Sequence, residues 1–221
     1  MTRSLAAAIG FAGVLASASP EGLVLPDPVE ITQQRLDQLA KEVEEVKREE
    51  ARWHDLYDPR SMPSFYQTDP AWSATPYAGG TIGSSGCGLT AAAMAASWWS
   101  RSQVTPPDLV ARYGDSCITG GLNDMRKFSD RLCQDYGLAR SDRYYSISRA
   151  VDEARGGSTV FASVRSRFGG GYYTGHIVLI WWDGANLRVN DPANESNTRP
   201  WGAEELLAQG CWKYFYSLRK E

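Results

Sequence analysis

Three residues of this sequence have the types and settings that nucleophilic attack on an amide requires. Cys87 lies in "GGTIGSSGCGLTAAAMAASWW", Gly79 to Trp99, between Gly86 and Gly88 and at the start of an alanine-rich run that reads as a helix. A thiol attacks as its thiolate, and a helix N-terminus favours that state because unpaired N–H groups and the helix dipole stabilise negative charge. The Cys87 N–H is then placed to help hold an oxyanion, and the flanking glycines are expected to admit a substrate backbone. A small buried hydrophobe is the commoner fate of a free cysteine. The assignment therefore depends on partners elsewhere in the chain.

His54 and His176 are the only histidines. His54 falls among Trp53, Asp55 and Tyr57 at the end of a polar helix and reads as a surface residue, which leaves His176 as the base. His176 opens the apolar strand "HIVLIWW", and "NLRVNDP" follows after Asp183-Gly184, a strong hairpin signal. A two-residue loop pairs Trp182 with Ala185 and sets His176 directly opposite Asp191, on one face. Loops of two or four residues put Asp191 on the side of His176, whereas a three-residue loop puts Asn190 there. Apolar Leu187 and Val189 alternate with polar Arg188 and Asn190, which also selects Asp191. A thiol, an imidazole and a carboxylate orienting it form a nucleophile, base and orienter set. Gln67, on an extended segment around Phe65 to Gln67, is the candidate amide donor to the oxyanion.

The rest of the chain must position these groups. Its 221 residues are 43% hydrophobic and 22% charged, enough for one core-bearing domain and an appendage. A net charge of −3 without a basic block argues against nucleic-acid binding. Four cysteines, none spaced C-x-x-C, give no zinc knuckle, and attack by a thiol on an amide, the chemistry expected here, calls for no metal or organic cofactor. Residues 1–18, with "MTR", a short apolar run and Ala16-Ser17-Ala18, read as a signal peptide, so no spanning segment is expected after its removal. Export permits a bridge between two of Cys117, Cys133 and Cys211, in a pairing left open. Residues 19–60 hold a linker and a helix. There Val29, Thr32, Leu36, Leu39, Val43, Val46, Glu50 and Trp53 follow heptad steps, for self-association as a homo-oligomer or for folding back on the domain. From residue 61 the pattern is helices first and β-branched, aromatic strands afterwards, an α+β domain. Trp72, Tyr77, Tyr172, Tyr173, Trp181 and Trp201 are candidates for a substrate groove or for core packing, Tyr172 and Tyr173 forming one wall in the first case.

"YQTDPAWSATPYAGGTIGSSGCGLTAAAM", followed much later by "TGHIVLIWWDGANLRVNDPANESN", resembles the peptidase-like family related to the double-glycine-leader peptidases of bacteriocin export, in the papain-like superfamily. The resemblance spans roughly Phe65 to Tyr216. It implies a papain-like cysteine peptidase fold with Cys87 as nucleophile, His176 as base and acid, Asp191 as orienting residue and Gln67 as oxyanion donor. Leu89 stands where the family commonly has proline. No transporter segment or ATP-binding motif accompanies the domain, so leader processing during export is not expected. The expected function is a secreted or envelope-associated cysteine peptidase or amidase acting on peptide chains or on cell-wall peptide stems. The alternative is a papain-like fold that has lost catalysis and serves as a binding module.

Overall fold

The computed structural model describes residues 35–44 and 61–221. The expected signal segment, the linker, His54 and both ends of the heptad helix lie outside the described residues. Residues 35–44 form helix α1, with Leu36, Leu39 and Val43 exposed. It belongs to one compact unit, Met1–Glu49, and all that follows belongs to a second, Glu50–Glu221.

The second unit begins with a small hairpin of β1 (Pro76–Tyr77) and β2 (Gly80–Thr81), then α2 (Ile82–Ser85), α3 (Cys87–Ser100) and α4 (Pro106–Tyr113). A second small hairpin, β3 (Ile118–Thr119) and β4 (Leu122–Asn123), precedes α5 (Met125–Tyr136). There follow β5 (Leu138–Arg140), α6 (Ile147–Arg155), β6 (Thr159–Phe168), β7 (Gly171–Trp182), β8 (Leu187–Asn190), β9 (Arg199–Trp201), α7 (Ala203–Leu207) and β10 (Trp212–Lys220). The last six strands make one sheet in the order β5-β10-β6-β7-β8-β9, and every neighbouring pair is antiparallel. The unit is α+β, as the sequence pattern predicts.

Alternation along the strands supplies two cores. Val160, Ala162, Val164, Val178, Ile180, Leu187 and Val189 pack on one face with Ala150, Val151 and Ala154 of α6 and Leu206 of α7. Phe161, Ile177, Leu179, Trp181, Tyr216 and Leu218 pack on the other with α3, Leu109 of α4, and Phe128 and Leu132 of α5. A sheet covered on both faces needs apolar residues at successive positions, which is why β7 reads "IVLIWW" rather than alternating with polar residues. Each fully buried large side chain, such as Phe161 or Leu179, contributes about 1.5–3 kcal/mol. Ala91, Ala92, Ala93, Ala95 and Ala96 of α3 are fully buried. Side chains that small let the helix axis approach its neighbours closely, and so hold its N-terminus firmly.

Two parts of the sequence reading change. The pattern of "GLNDMRKFSDRLCQDYGL", residues 121–138, predicts a helix from Gly121, but α5 starts at Met125, because Asp124 caps it by accepting from the Arg126 and Lys127 N–H groups, and Leu122 and Asn123 go into a hairpin instead. The segment before Gln67 has no ladder partner, and Gln67 itself opens a turn tied to the later chain by its N–H, which donates to the Pro192 carbonyl at 2.8 Å.

Candidate active site

Cys87 is the first residue of α3, and Gly86 both ends α2 and precedes α3. The protein's own packing requires glycine at both flanking positions. A Cβ on Gly86 would stand 2.4 Å from the Ile82 carbonyl oxygen, and one on Gly88 would stand 2.5 Å from Cβ of Asn123. The two glycines thus permit the sharp helix-to-helix join and the close β4 contact that fix the thiol. The Cys87 N–H has no acceptor within its helix. Four residues earlier, the Gly83 carbonyl accepts from Gln67 Nε2 at 2.7 Å.

His176 and Asp191 are brought together from β7 and from the residue after β8. Their register differs from direct opposition: Trp182 pairs with Leu187 and Leu179 with Asn190, so Asp191 lies diagonal to His176. Asp183 causes the difference. Its carboxylate accepts from the Ala185 N–H at 2.9 Å and the Asn186 N–H at 2.7 Å, widening the turn to four residues with Gly184 at φ 98°. An even loop preserves the parity. Asp191 Oδ1 stands 2.7 Å from His176 Nε2, while Asn190 serves the other face, accepting from Trp181 Nε1 at 2.8 Å and donating to the Pro63 carbonyl at 3.0 Å.

A β-bulge completes the arrangement. Val164 pairs with His176 and Ser166 with Tyr173, so one residue of β6 faces two of β7, Thr174 and Gly175. In a regular strand, residues 173 and 176 would point to opposite faces; the extra residue puts both on one side. The Tyr173 ring accordingly stacks on His176, with centroids 4.3 Å apart and planes at 9°. Its hydroxyl donates to Asp191 Oδ2 at 2.7 Å, and Asn197 Nδ2 donates to the same oxygen at 2.8 Å. The Ala193 N–H donates to Oδ1 at 2.9 Å. A buried carboxylate is costly unless its lone pairs are used, and with His176 this one has four donors. Asn197 and Tyr173 as partners of Asp191 were not legible in the sequence, since neither sits at a motif position.

The electrostatics follow from these contacts. Burial of the ring opposes a proton on His176, but the hydrogen bond to Asp191, the hydrogen bond to and charge of Cys87, and the Asp191 charge outweigh it and raise the pKa from 6.5 to about 9. Burial likewise opposes the Asp191 charge, and His176, Asn197 and the Ala193 N–H overcome it, holding the carboxyl below its ordinary value. A carboxylate only accepts, so Nε2 carries the proton shared with Asp191 and the other ring nitrogen is left for Cys87.

A cleft of about 250 Å³ opens over Cys87 and His176, lined also by Asn123, Ser163, Lys213 and Tyr214. Asn123 Nδ2 lies 3.9 Å from the Cys87 sulfur and donates to the Ser85 carbonyl at 2.7 Å, while the Tyr77 hydroxyl donates to Asn123 Oδ1 at 2.7 Å. Gln67 is buried behind the nucleophile with its Oε1 unpartnered, and it is not part of the cleft lining. Neither Tyr172 nor Tyr173 forms a cleft wall: Tyr172 is exposed and Tyr173 is committed to His176 and Asp191. Trp72, Tyr77, Trp181 and Trp201 are core residues.

All four cysteines are free. The bridge that export would allow is not formed. Cys211 packs on the face of the sheet opposite Cys117 and Cys133, which excludes a bond to either. No cluster of three or more His, Cys, Asp or Glu side chains fit to hold a metal ion occurs among the described residues, and none of the described helices is long and apolar enough to cross a membrane.

No protein-family model and no curated protein matches the sequence. Among solved structures, the chain is similar to a variant of the Salmonella effector SpvD, with a TM-score of 0.36 and 13% identity over 92% of this chain and 84% of that one.

Proposed function

We propose that the second unit is a cysteine peptidase or amidase of papain-like architecture that opens peptide-like amide bonds through a thioester acyl-enzyme. One observation carries the reading. His176 lines the same cleft as Cys87, a thiol at a helix N-terminus, and is held through Nε2 by a buried carboxylate 2.7 Å away. Protein packing alone gives no reason to bury a histidine and an aspartate beside a cysteine that remains reachable from a cleft.

In the proposed cycle, the Cys87 sulfur attacks the substrate carbonyl and the electron pair moves to oxygen. The oxyanion is held by the Cys87 N–H, and Gln67, whose Nε2 donates to the Gly83 carbonyl, braces the segment behind the nucleophile. His176, having taken the Cys87 thiol proton as the sulfur attacks, gives it to the leaving amine as the C–N bond breaks, leaving a thioester. It then takes a proton from water as the water oxygen attacks, and returns that proton to the sulfur as the carboxylic acid departs. Asp191 keeps the ring oriented throughout, and no metal or organic cofactor enters. Peptide chains and cell-wall peptide stems both offer the required amide. Export by residues 1–18 and homo-oligomer formation through the N-terminal helix belong to the same proposal.

The test is covalent labelling of purified protein by iodoacetamide, read by mass spectrometry, together with hydrolysis of a mixed peptide pool. Rapid single labelling at Cys87 and turnover abolished by Cys87→Ala support the proposal. A Cys87 that reacts no faster than a cysteine in the unfolded chain refutes it, and fast labelling without any hydrolysis favours the binding-module alternative.

A further inference from the structure

A second hollow of about 220 Å³ adjoins the cleft over Cys87, sharing Leu122, Asn123 and Tyr214 with it as lining residues. Their charge is unbalanced. Among the described residues, Lys213 is the one Lys, Arg, Asp or Glu side chain lining the first hollow, and Arg126, Arg143 and Asp124 line the second. The Asp124 carboxylate is consumed locally, accepting from the Thr119 hydroxyl and from the Arg126 and Lys127 N–H groups. Arg126 has Asp130 at 3.9 Å. Lys213 and Arg143 differ from these, since neither forms an ion pair among the described residues.

The fold sets both residues beside the cleft, Lys213 by its backbone position and Arg143 by its side-chain contacts as well. Val164 pairs with Trp212 and Ser163 with Tyr214, so Lys213 is the extra residue of a bulge in β10. A bulge brings neighbouring side chains to one side, which is how Lys213 and Tyr214 both line the cleft. Arg143 donates to the Tyr216 hydroxyl at 3.1 Å and lies 5.3 Å from the Tyr214 ring centroid. Its guanidinium is thus fixed at the rim, with donors to spare and no carboxylate on them.

We propose that Lys213 and Arg143 form an anion subsite beside the nucleophile, so that the protein selects peptide substrates carrying a carboxylate near the scissile amide. This rests on Cys87 being the reactive group. The carboxylate can come from an acidic side chain or from a chain terminus.

The test uses thiol-reactive probes, so it does not depend on turnover. Chloroacetyl-Gly-Glu-amide, chloroacetyl-Gly-Gln-amide and chloroacetyl-Gly-Gln with a free C-terminus are compared for their rates of alkylating Cys87, each divided by the iodoacetamide rate of the same protein. One or both carboxylate probes should react about fivefold to tenfold faster than the neutral one, the difference shrinking with added salt. Which probe gains identifies the source. Arg143→Gln and Lys213→Gln should each lower the ratio, and the double variant should bring it to about one. Equal normalised rates in the wild-type protein, or a preference that survives in the double variant, overturn the subsite. A slow iodoacetamide reaction refutes the proposed nucleophile separately, while the ratio still reads the subsite.

Discussion

Tyr173 lies flat on the ring of His176 and, from the same side chain, donates to the carboxylate that orients that ring. It is therefore a positioning residue for two members of the site. Tyr173→Phe keeps the stack and removes one donor to Asp191, so the Asp191 pKa should rise and the acid limb of the rate profile should move to higher pH. Tyr173→Leu also removes the stack, worth about 0.5–1.5 kcal/mol, and should lower kcat by up to about tenfold with less change in KM. A residue that merely fills space would leave the pH profile of the Phe variant where it was.

Asp191 and Asn190, adjacent in the chain, should separate chemistry from folding. Asp191→Ala should reduce turnover by about 10²- to 10⁴-fold, with Asp191→Asn less severe because an amide oxygen still accepts from the ring. Asn190→Ala strands the Trp181 Nε1 donor and should cost about 1–3 kcal/mol of stability while leaving the chemical step nearly untouched. Thermal melts alongside kcat of the folded variants decide the matter, and a kinetic defect in Asn190→Ala at full folding would contradict the assigned roles.

Stability should follow pH through the same pair. The folded pKa of His176, raised to about 9, lies above its ordinary 6.5, so its contribution is complete below about 6.5 and lost as pH rises through about 9. Asp191, lowered from 3.8, contributes above that value and loses its contribution as pH falls through its folded pKa. The melting temperature should therefore be highest between about pH 4 and 6.5 as far as this pair is concerned. His176→Gln should flatten the alkaline decline, and an unchanged decline would assign it to other groups.

Labelling selectivity provides a separate check. Burial raises the thiol pKa of Cys117 and Cys133, and of Cys211 to about 11, so these three should resist iodoacetamide in the native protein. Peptide mapping should find one modified residue, Cys87, at neutral pH. Substituting any of the other three should reduce stability at most.

The sequence showed the large pieces because they depend on local patterns. The alanine run marked a buried helix, the β-branched runs marked β6, β7, β8 and β10, and strand parity placed Asp191 rather than Asn190 on the side of His176. What it hid depends on side chains far apart in the chain. The hydroxyl of Tyr173 and the amide of Asn197 reach Asp191 from 18 and 6 residues away. Asn123 reaches the thiol only because a short hairpin interrupts what looked like helix. The two-residue turn failed for a similar reason, since the Asp183 side chain captured two backbone donors that the dipeptide pattern leaves out.

The bulge at Thr174 and Gly175 makes the chain unusually sensitive to its length at that point. Deleting Gly175 would restore an uninterrupted ladder between β6 and β7, a more regular sheet, and at the same time turn Tyr173 away from the imidazole. A population of variants screened only for thermal resistance would be free to collect such deletions and would drift toward a better-formed but inert protein. On the proposed function, the irregular form persists only under a pressure that monitors the reaction itself.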